Sequence, residues 1–165
     1  MPRIIQIVGD VAYVPLTKGY VAIIDAEDVR KVHAWDWSAR VKGHTVYAQR
    51  VFRRDGKSKM VLLHHQLMGI PDGGHIDHIN HNGLDNRRSN LRFATESQNQ
   101  QNRRVSSRSR LGLKGVYFDA KRGKYVAAIQ KDKRKQTLGL FETAEEAKVA
   151  YDKAAYTLHE QFACT

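Results

Sequence analysis

The sequence predicts an α+β protein. Three observations carry the prediction. Short runs rich in β-branched and aromatic residues fill the first sixty or so positions. Two Thr-x-x-Gln/Glu sequences, at Thr95 and Thr143, mark helix starts. A basic stretch poor in large apolar residues divides a second set of short strands from the first. The expected order is a β-rich lobe over residues 1–63, a strand, loop, strand, helix core over about 64–102, a basic linker at 103–113, and a unit at 114–165 built from three strands and one helix.

In the lobe, "IIQIV" and "VAYVPL" flank a Gly9-Asp10 turn and "YVAIID" follows. "VYAQRVF" and "KMVLL" flank Asp55-Gly56, a two-residue hairpin signal. Asp25 is placed to cap a short helix running through His33, and Trp35 and Trp37 are expected in the core. "LLHHQLMG" reads as one or two helical turns ending at Gly69, and Pro71-Asp72-Gly73-Gly74 as a turn.

A chain of 165 residues forms one domain or two small ones with modest cores. The net charge of +11 is concentrated: residues 103–135 hold twelve Lys and Arg against Asp119 and Asp132. The stretch from Glu142 to Glu160 has five acids against Lys148 and Lys153. A basic face backed by an acidic one suits a polyanion, nucleic acid rather than membrane; the competing reading is a solvated charged surface. With Cys164 alone, an internal disulfide and a thiolate zinc cluster are excluded, which points to the cytosol. The start "MPRIIQIVGDVAYV" lacks a signal-peptide core and no apolar run reaches membrane-spanning length. The expectation is a soluble, cytoplasmic protein with no membrane partner.

The stretch "GGHIDHINHNGLDNRRSNLRFATESQNQQN" gathers three His among Asp and Asn between short apolar runs. It reads as a short strand "HIDHI", a polar loop, a second strand "LRFA", and a helix opened by the Thr95-x-x-Gln98 capping box. On the first strand Asp77 and His78 point to opposite faces unless twist or a bulge brings them together. Phosphodiester hydrolysis needs a base for the attacking water, a divalent metal to stabilise the departing oxygen, and a means of orienting both. His78 suits the base, Asp77 and Asn99 offer hard oxygen ligands, and Asn90 is placed to pin the loop and hold the imidazole.

The segment "HIDHINHNGLDNRRSNLRFATESQNQQNRR" resembles the His-Asn-His (HNH) nucleases, in their phage homing-endonuclease branch. The resemblance implies a ββα-metal core with His78 as general base, Asn90 as its orienting residue, and Asp77 with Asn99 as ligands of one Mg²⁺ or Mn²⁺. All-oxygen protein ligation suits such a hard ion. "LLHHQLMG" also resembles the Leu-His-Arg-Leu segment that precedes the motif in this branch, with His65 where Arg is usual. His64, His65, His75 and His81 are read as packing or phosphate-contacting residues.

"KGVYFDAKRGKYVAAIQKDKRKQTLGLFETAEEAKVAYDKAAYTLH" resembles the APETALA-type, or ethylene-response-factor-like, DNA-binding domain. That resemblance implies a three-stranded antiparallel sheet lying in the major groove, with the helix behind it. Period two puts Tyr125, Ala127 and Ile129 toward the helix and Lys124, Val126, Ala128 and Gln130 on the other face. Lys114, Tyr117, Lys135 and Thr137 join the second set as DNA-facing residues, and Arg103, Arg104, Arg108 and Arg110 supply linker contacts to phosphate.

Together these features predict a site-directed, metal-dependent endonuclease acting on double-stranded DNA as monomer or homodimer. One active site per chain makes a nick the simplest product. The alternatives are a DNA-binding regulator without turnover and an RNA-binding protein. The last is disfavoured because Tyr117 is the one stacking aromatic on the sheet face.

Overall fold

The computed structural model describes residues 3–70, 74–102, 105, 109–131 and 134–159. The architecture is α+β, with four antiparallel sheets and three α-helices among these residues. The chain divides into two compact units, Met1–Ala94 and Thr95–Thr165. The helix at Glu96–Gln101, which the sequence groups with the first unit, clusters with the second. No helix among the described residues is long and apolar enough to cross a membrane.

In the first unit, β1 (Gln6–Val8), β2 (Val11–Pro15) and β3 (Val21–Asp25) form one meander. A second meander holds β4 (Ser38–Lys42), β5 (Thr45–Arg54) and β6 (Lys57–Leu62). Alternate residues of β2 and β3, Ala12, Val14, Ala22 and Ile24, meet Ala48 of β5 in the core. Leu63 and Leu67 of α1 (Leu63–Met68) close it. The two-residue turn at Asp55-Gly56 joins β5 to β6 as expected. The strand β4 is additional to the sequence reading, because "SARVK" carries too few apolar residues to announce itself.

Two local expectations change. Trp37 is core, 1% exposed, with its indole N–H donating to Val32 O at 3.1 Å. Trp35 is instead 38% exposed, its ring covered by the Arg50 guanidinium 4.2 Å away. Asp25 caps no helix with its side chain; the segment after it is a 3-10 run, Ala26–Lys31. The Asp25 carboxylate accepts from the Arg88 backbone N–H at 2.8 Å, because the distant loop offers it an unpaired donor where the short 3-10 turn does not. The turn expected at Pro71-Asp72-Gly73-Gly74 falls mostly outside the described residues.

The strands β7 (His75–His78) and β8 (Leu91–Ala94) form a two-stranded sheet, with Asp77 opposite Arg92 and His78 opposite Leu91. The loop between them is held by β3: Ile23 N–H donates to Leu84 O at 2.8 Å, and Asn86 N–H to Ile23 O at 2.7 Å. Arg88 adds a fork onto Asp28 at 2.8 and 2.9 Å.

In the second unit, the Thr95 capping box is complete and opens α2 (Glu96–Gln101). The strands β9 (Val116–Asp119), β10 (Lys124–Lys131) and β11 (Arg134–Phe141) form an antiparallel sheet in the order β11, β10, β9. Thr143 and Glu146 exchange capping bonds at 3.2 Å and start α3 (Ala144–His159). Ala127 and Ile129 pack against Ala147, Tyr151 and Ala155 of that helix, which is the face predicted. Leu111 and Leu113, at the end of the expected linker, pack onto this core as well. Gly115 is required where it stands: at φ +69° a Cβ would lie 2.1 Å from the Tyr151 ring.

Candidate active site

The end of β7 buries both motif side chains: Asp77 is 7% and His78 6% exposed. Asp77 receives the Arg92 guanidinium on Oδ2, through Nε at 2.9 Å and Nη2 at 2.8 Å. His78 Nε2 lies 3.3 Å from Asn86 Oδ1. The Asn86 amide is itself oriented, because its Nδ2 donates to Leu84 O at 3.0 Å. An oxygen facing Nε2 makes that nitrogen the donor and leaves Nδ1 as the basic nitrogen of the ring. Burial pushes the His78 pKa below the ordinary imidazole value, an effect that the Asn86 bond and the nearby Asp77 and Asp85 carboxylates only partly offset. His78 is therefore neutral near pH 7.

The richness of the stretch in Asn has a structural cause. Asn80 and Asn82 make successive side-chain turns, Asn80 Oδ1 accepting from Asn82 N–H at 2.9 Å and Asn82 Oδ1 from Leu84 N–H at 3.1 Å. Asn90, buried in a 3-10 turn at Arg88–Asn90, accepts from Asn80 N–H at 3.0 Å and donates to Asp85 O at 2.7 Å. It ties the two ends of the loop together. Arg87 grips Asp85 with two bonds of 2.8 Å and draws its carboxyl below the usual range. Gly83 lets this loop lie against β5, where a Cβ would come within 2.6 Å of Val46 O.

A second imidazole stands beside the first. His64, on α1 and 4% exposed, has its ring 4.9 Å from that of His78 and perpendicular to it. Tyr47 lies edge-on to both, at 6.0 and 5.9 Å. The Nδ1 of His64 is buried with no hydrogen-bond partner. Burial, then the neighbouring His78 and His65, lower its pKa to about 3. The sequence alone gives Asn86, Tyr47 and Arg92 no role of their own; an Asn inside a polar loop reads as a turn former, and nothing local joins a β5 tyrosine to the motif.

Asn99 occupies the first turn of α2, half-buried, its N–H donating to Thr95 O at 2.9 Å. Among the described residues no group of three His, Cys, Asp or Glu is placed to hold a metal ion.

On the C-terminal sheet, Gln130, Lys135, Thr137 and Tyr117 are exposed, with the Lys135 ammonium 4.6 Å above the Tyr117 ring. Val126 and Ala128, expected on the open face, are 3% and 8% exposed. Val126 is recessed between its cross-strand neighbours Tyr117 and Leu140, and a bulge between Ala127 and Ala128 alters the register beside the second. Lys124 is paired with Glu142, and the Lys114 ammonium donates to Gln101 O. Arg110 is exposed, while Arg103, Arg104 and Arg108 lie outside the described residues.

Comparison with known proteins meets this geometry at its centre. Residues 62–101 match the family profile described as HNH endonuclease, a span that includes His64, Asp77, His78, Asn90 and Asn99. An uncharacterized HNH endonuclease of Acanthamoeba polyphaga mimivirus is 34% identical over 94 residues, 57% of this chain and 48% of the viral protein. The chain thus spans about half the length of the curated relative it matches. No solved structure matches it.

Proposed function

We propose that the chain is a metal-dependent, site-directed DNA endonuclease that hydrolyses phosphodiester bonds one strand at a time, with its C-terminal sheet docking in the major groove. One observation carries the reading: a buried, neutral His78, its tautomer fixed by Asn86, lies within the segment that matches the HNH endonuclease profile. In this reading Nδ1 of His78 accepts the proton of the attacking water. Asn86 keeps the ring aimed, and Asn90 pins the loop that carries Asn86.

Asp77 and Asn99 would hold one Mg²⁺ or Mn²⁺, which when bound supplies charge stabilisation for the departing oxygen. The donors fit such an ion. Mg²⁺ commonly takes one or two protein oxygens together with substrate phosphate and water, and a carboxylate with an amide oxygen is a donor set of that kind. The Arg92 pair favours the rival reading, a DNA-binding regulator without turnover, since a guanidinium beside Asp77 competes with a cation.

Supercoiled plasmid separates the two. The protein with Mg²⁺ should convert it to open circles, chelator should abolish the reaction, and His78→Ala should slow it at least ~100-fold with DNA affinity unchanged. Absence of nicking with both Mg²⁺ and Mn²⁺ leaves the regulator.

A further inference from the structure

We infer that Lys114 is a positioning residue that ties α2, and with it Asn99, to the C-terminal sheet; the inference rests on the reading above in which Asn99 is a metal ligand. The helix is six residues long and has no buried residue. A helix of that length is unstable alone, and this one lacks the packed apolar face that usually compensates. Two devices act on its ends. The Thr95/Gln98 capping box satisfies the first turn, and the Lys114 ammonium donates to Gln101 O at the other end. An ammonium there both satisfies an orphan carbonyl and meets the negative end of the helix dipole.

The backbone next to Lys114 is firmly placed. Gly115 O accepts from Ala128 N–H of β10 at 2.8 Å, and Gly115 lies against the Tyr151 ring of α3. The Lys114 side chain therefore extends a rigid support to a helix that has little of its own. The groove between them is walled by Ser97 and Gln101 of α2 on one side and by Gln130 and Lys135 of the sheet on the other. Gln130 and Lys135 are also the exposed residues best suited to meet base edges. Reading the target and holding Asn99 in place thus share one groove, and Lys114 spans it.

The sequence alone assigns Lys114 a phosphate contact, and the two roles separate experimentally in the full chain. Lys114→Met keeps the alkyl stem and removes the charge; Lys114→Arg keeps the charge. Amide hydrogen exchange of residues 96–102 is measured without metal, alongside the Mg²⁺ concentration for half-maximal nicking and the salt dependence of DNA binding. Lys114→Met should speed exchange in 96–102 by about two- to five-fold, the factor a terminal charge supplies, with exchange in β9 to β11 unchanged. The Mg²⁺ requirement should rise by a similar factor, the salt slope should hold, and Lys114→Arg should restore both readouts. Unchanged exchange with a salt slope flattened by about 1 would identify a phosphate contact and overturn the inference. Faster exchange across the sheet to the same extent would reduce Lys114 to a general structural residue and also overturn it. The exchange measurement needs no turnover, so a protein that fails to nick still decides whether Lys114 tethers α2.

Discussion

Asp28 and His64 are both buried, and each is displaced from its ordinary titration range for a different reason. Burial acts to raise the Asp28 carboxyl, but the Arg88 fork and Lys31 outweigh it and lower the pKa below 3.8. Its ion pairs stabilise the fold above that value, and the contribution is lost as pH falls through the lower folded-state pKa. For His64 the folded-state pKa of about 3 lies below 6.5, so between these values the unfolded chain binds a proton that the fold excludes. Stability must decline as pH falls from 6.5 toward 3. Thermal unfolding midpoints followed from pH 7.5 downward should show both losses. His64→Leu should remove part of the upper slope. Asp28→Asn should remove the loss below 3.8 and cost about 2 kcal/mol at neutral pH, because Arg88 and Lys31 lose a buried partner. An unchanged slope in the His64 variant would assign that proton elsewhere. These two residues also mark what the sequence reveals. His78 and Asp77 stand out because imidazole and carboxylate are rare among turn formers, whereas Asn86 is hidden among Asn residues and acquires its role only when β3 folds the loop onto β7. Asp28 reads as an ordinary helix-start acid, and nothing nearby announces Arg88 sixty residues on.

Strands with a period-two apolar pattern were legible: β2 and β3 bury alternate residues against one core, and the Asp55-Gly56 turn fixed the β5 to β6 hairpin. The strand β4 was not, since its charged residues break the pattern and it is held by pairing with β5. Both capping boxes located helix starts to the residue, because the motif is a local pair of bonds that needs no tertiary partner. The recess of Val126 and Ala128 lay beyond reach, as neighbouring strands decide it. Close approach of one element to another gives a prediction at this scale. Gly83→Ala places a methyl 2.6 Å from Val46 O and 2.7 Å from the Tyr47 ring, and the loop must lift away from β5 to relieve it. A shift of about 1 Å in the base's support should cost ~100-fold in nicking. Circular dichroism and DNA affinity should be close to wild type, and a fully active variant would show that the loop tolerates the displacement.

Across the whole molecule, the charge map suits a nucleic-acid partner, and residues 103–135 hold its largest excess, though not its only one. The stretch from Ser38 to Leu62 carries seven Lys and Arg against Asp55 alone, so the first unit is basic in its own right. On the function proposed above, general attraction to DNA is then spread along the chain, and sequence preference falls to the few exposed side chains with directional hydrogen bonds. Gln130→Ala should relax preference at one or two base pairs and cost ~1–3 kcal/mol on the preferred site, with the salt dependence unaltered. Sequencing the products cut from a randomised DNA library reads this directly, and an unchanged profile would move target choice away from the sheet. The bonds from Arg88 to Asp25 and Asp28 join positions 63 and 60 apart in the chain. Closures of that span cost more chain entropy than local ones, so the loop between β7 and β8 depends on the rest of the first unit for its shape. The segment 62–101 moved alone into another protein would arrive without β3, the strand that shapes its loop. The geometry of the motif is in this sense inherited with the lobe and not with the motif.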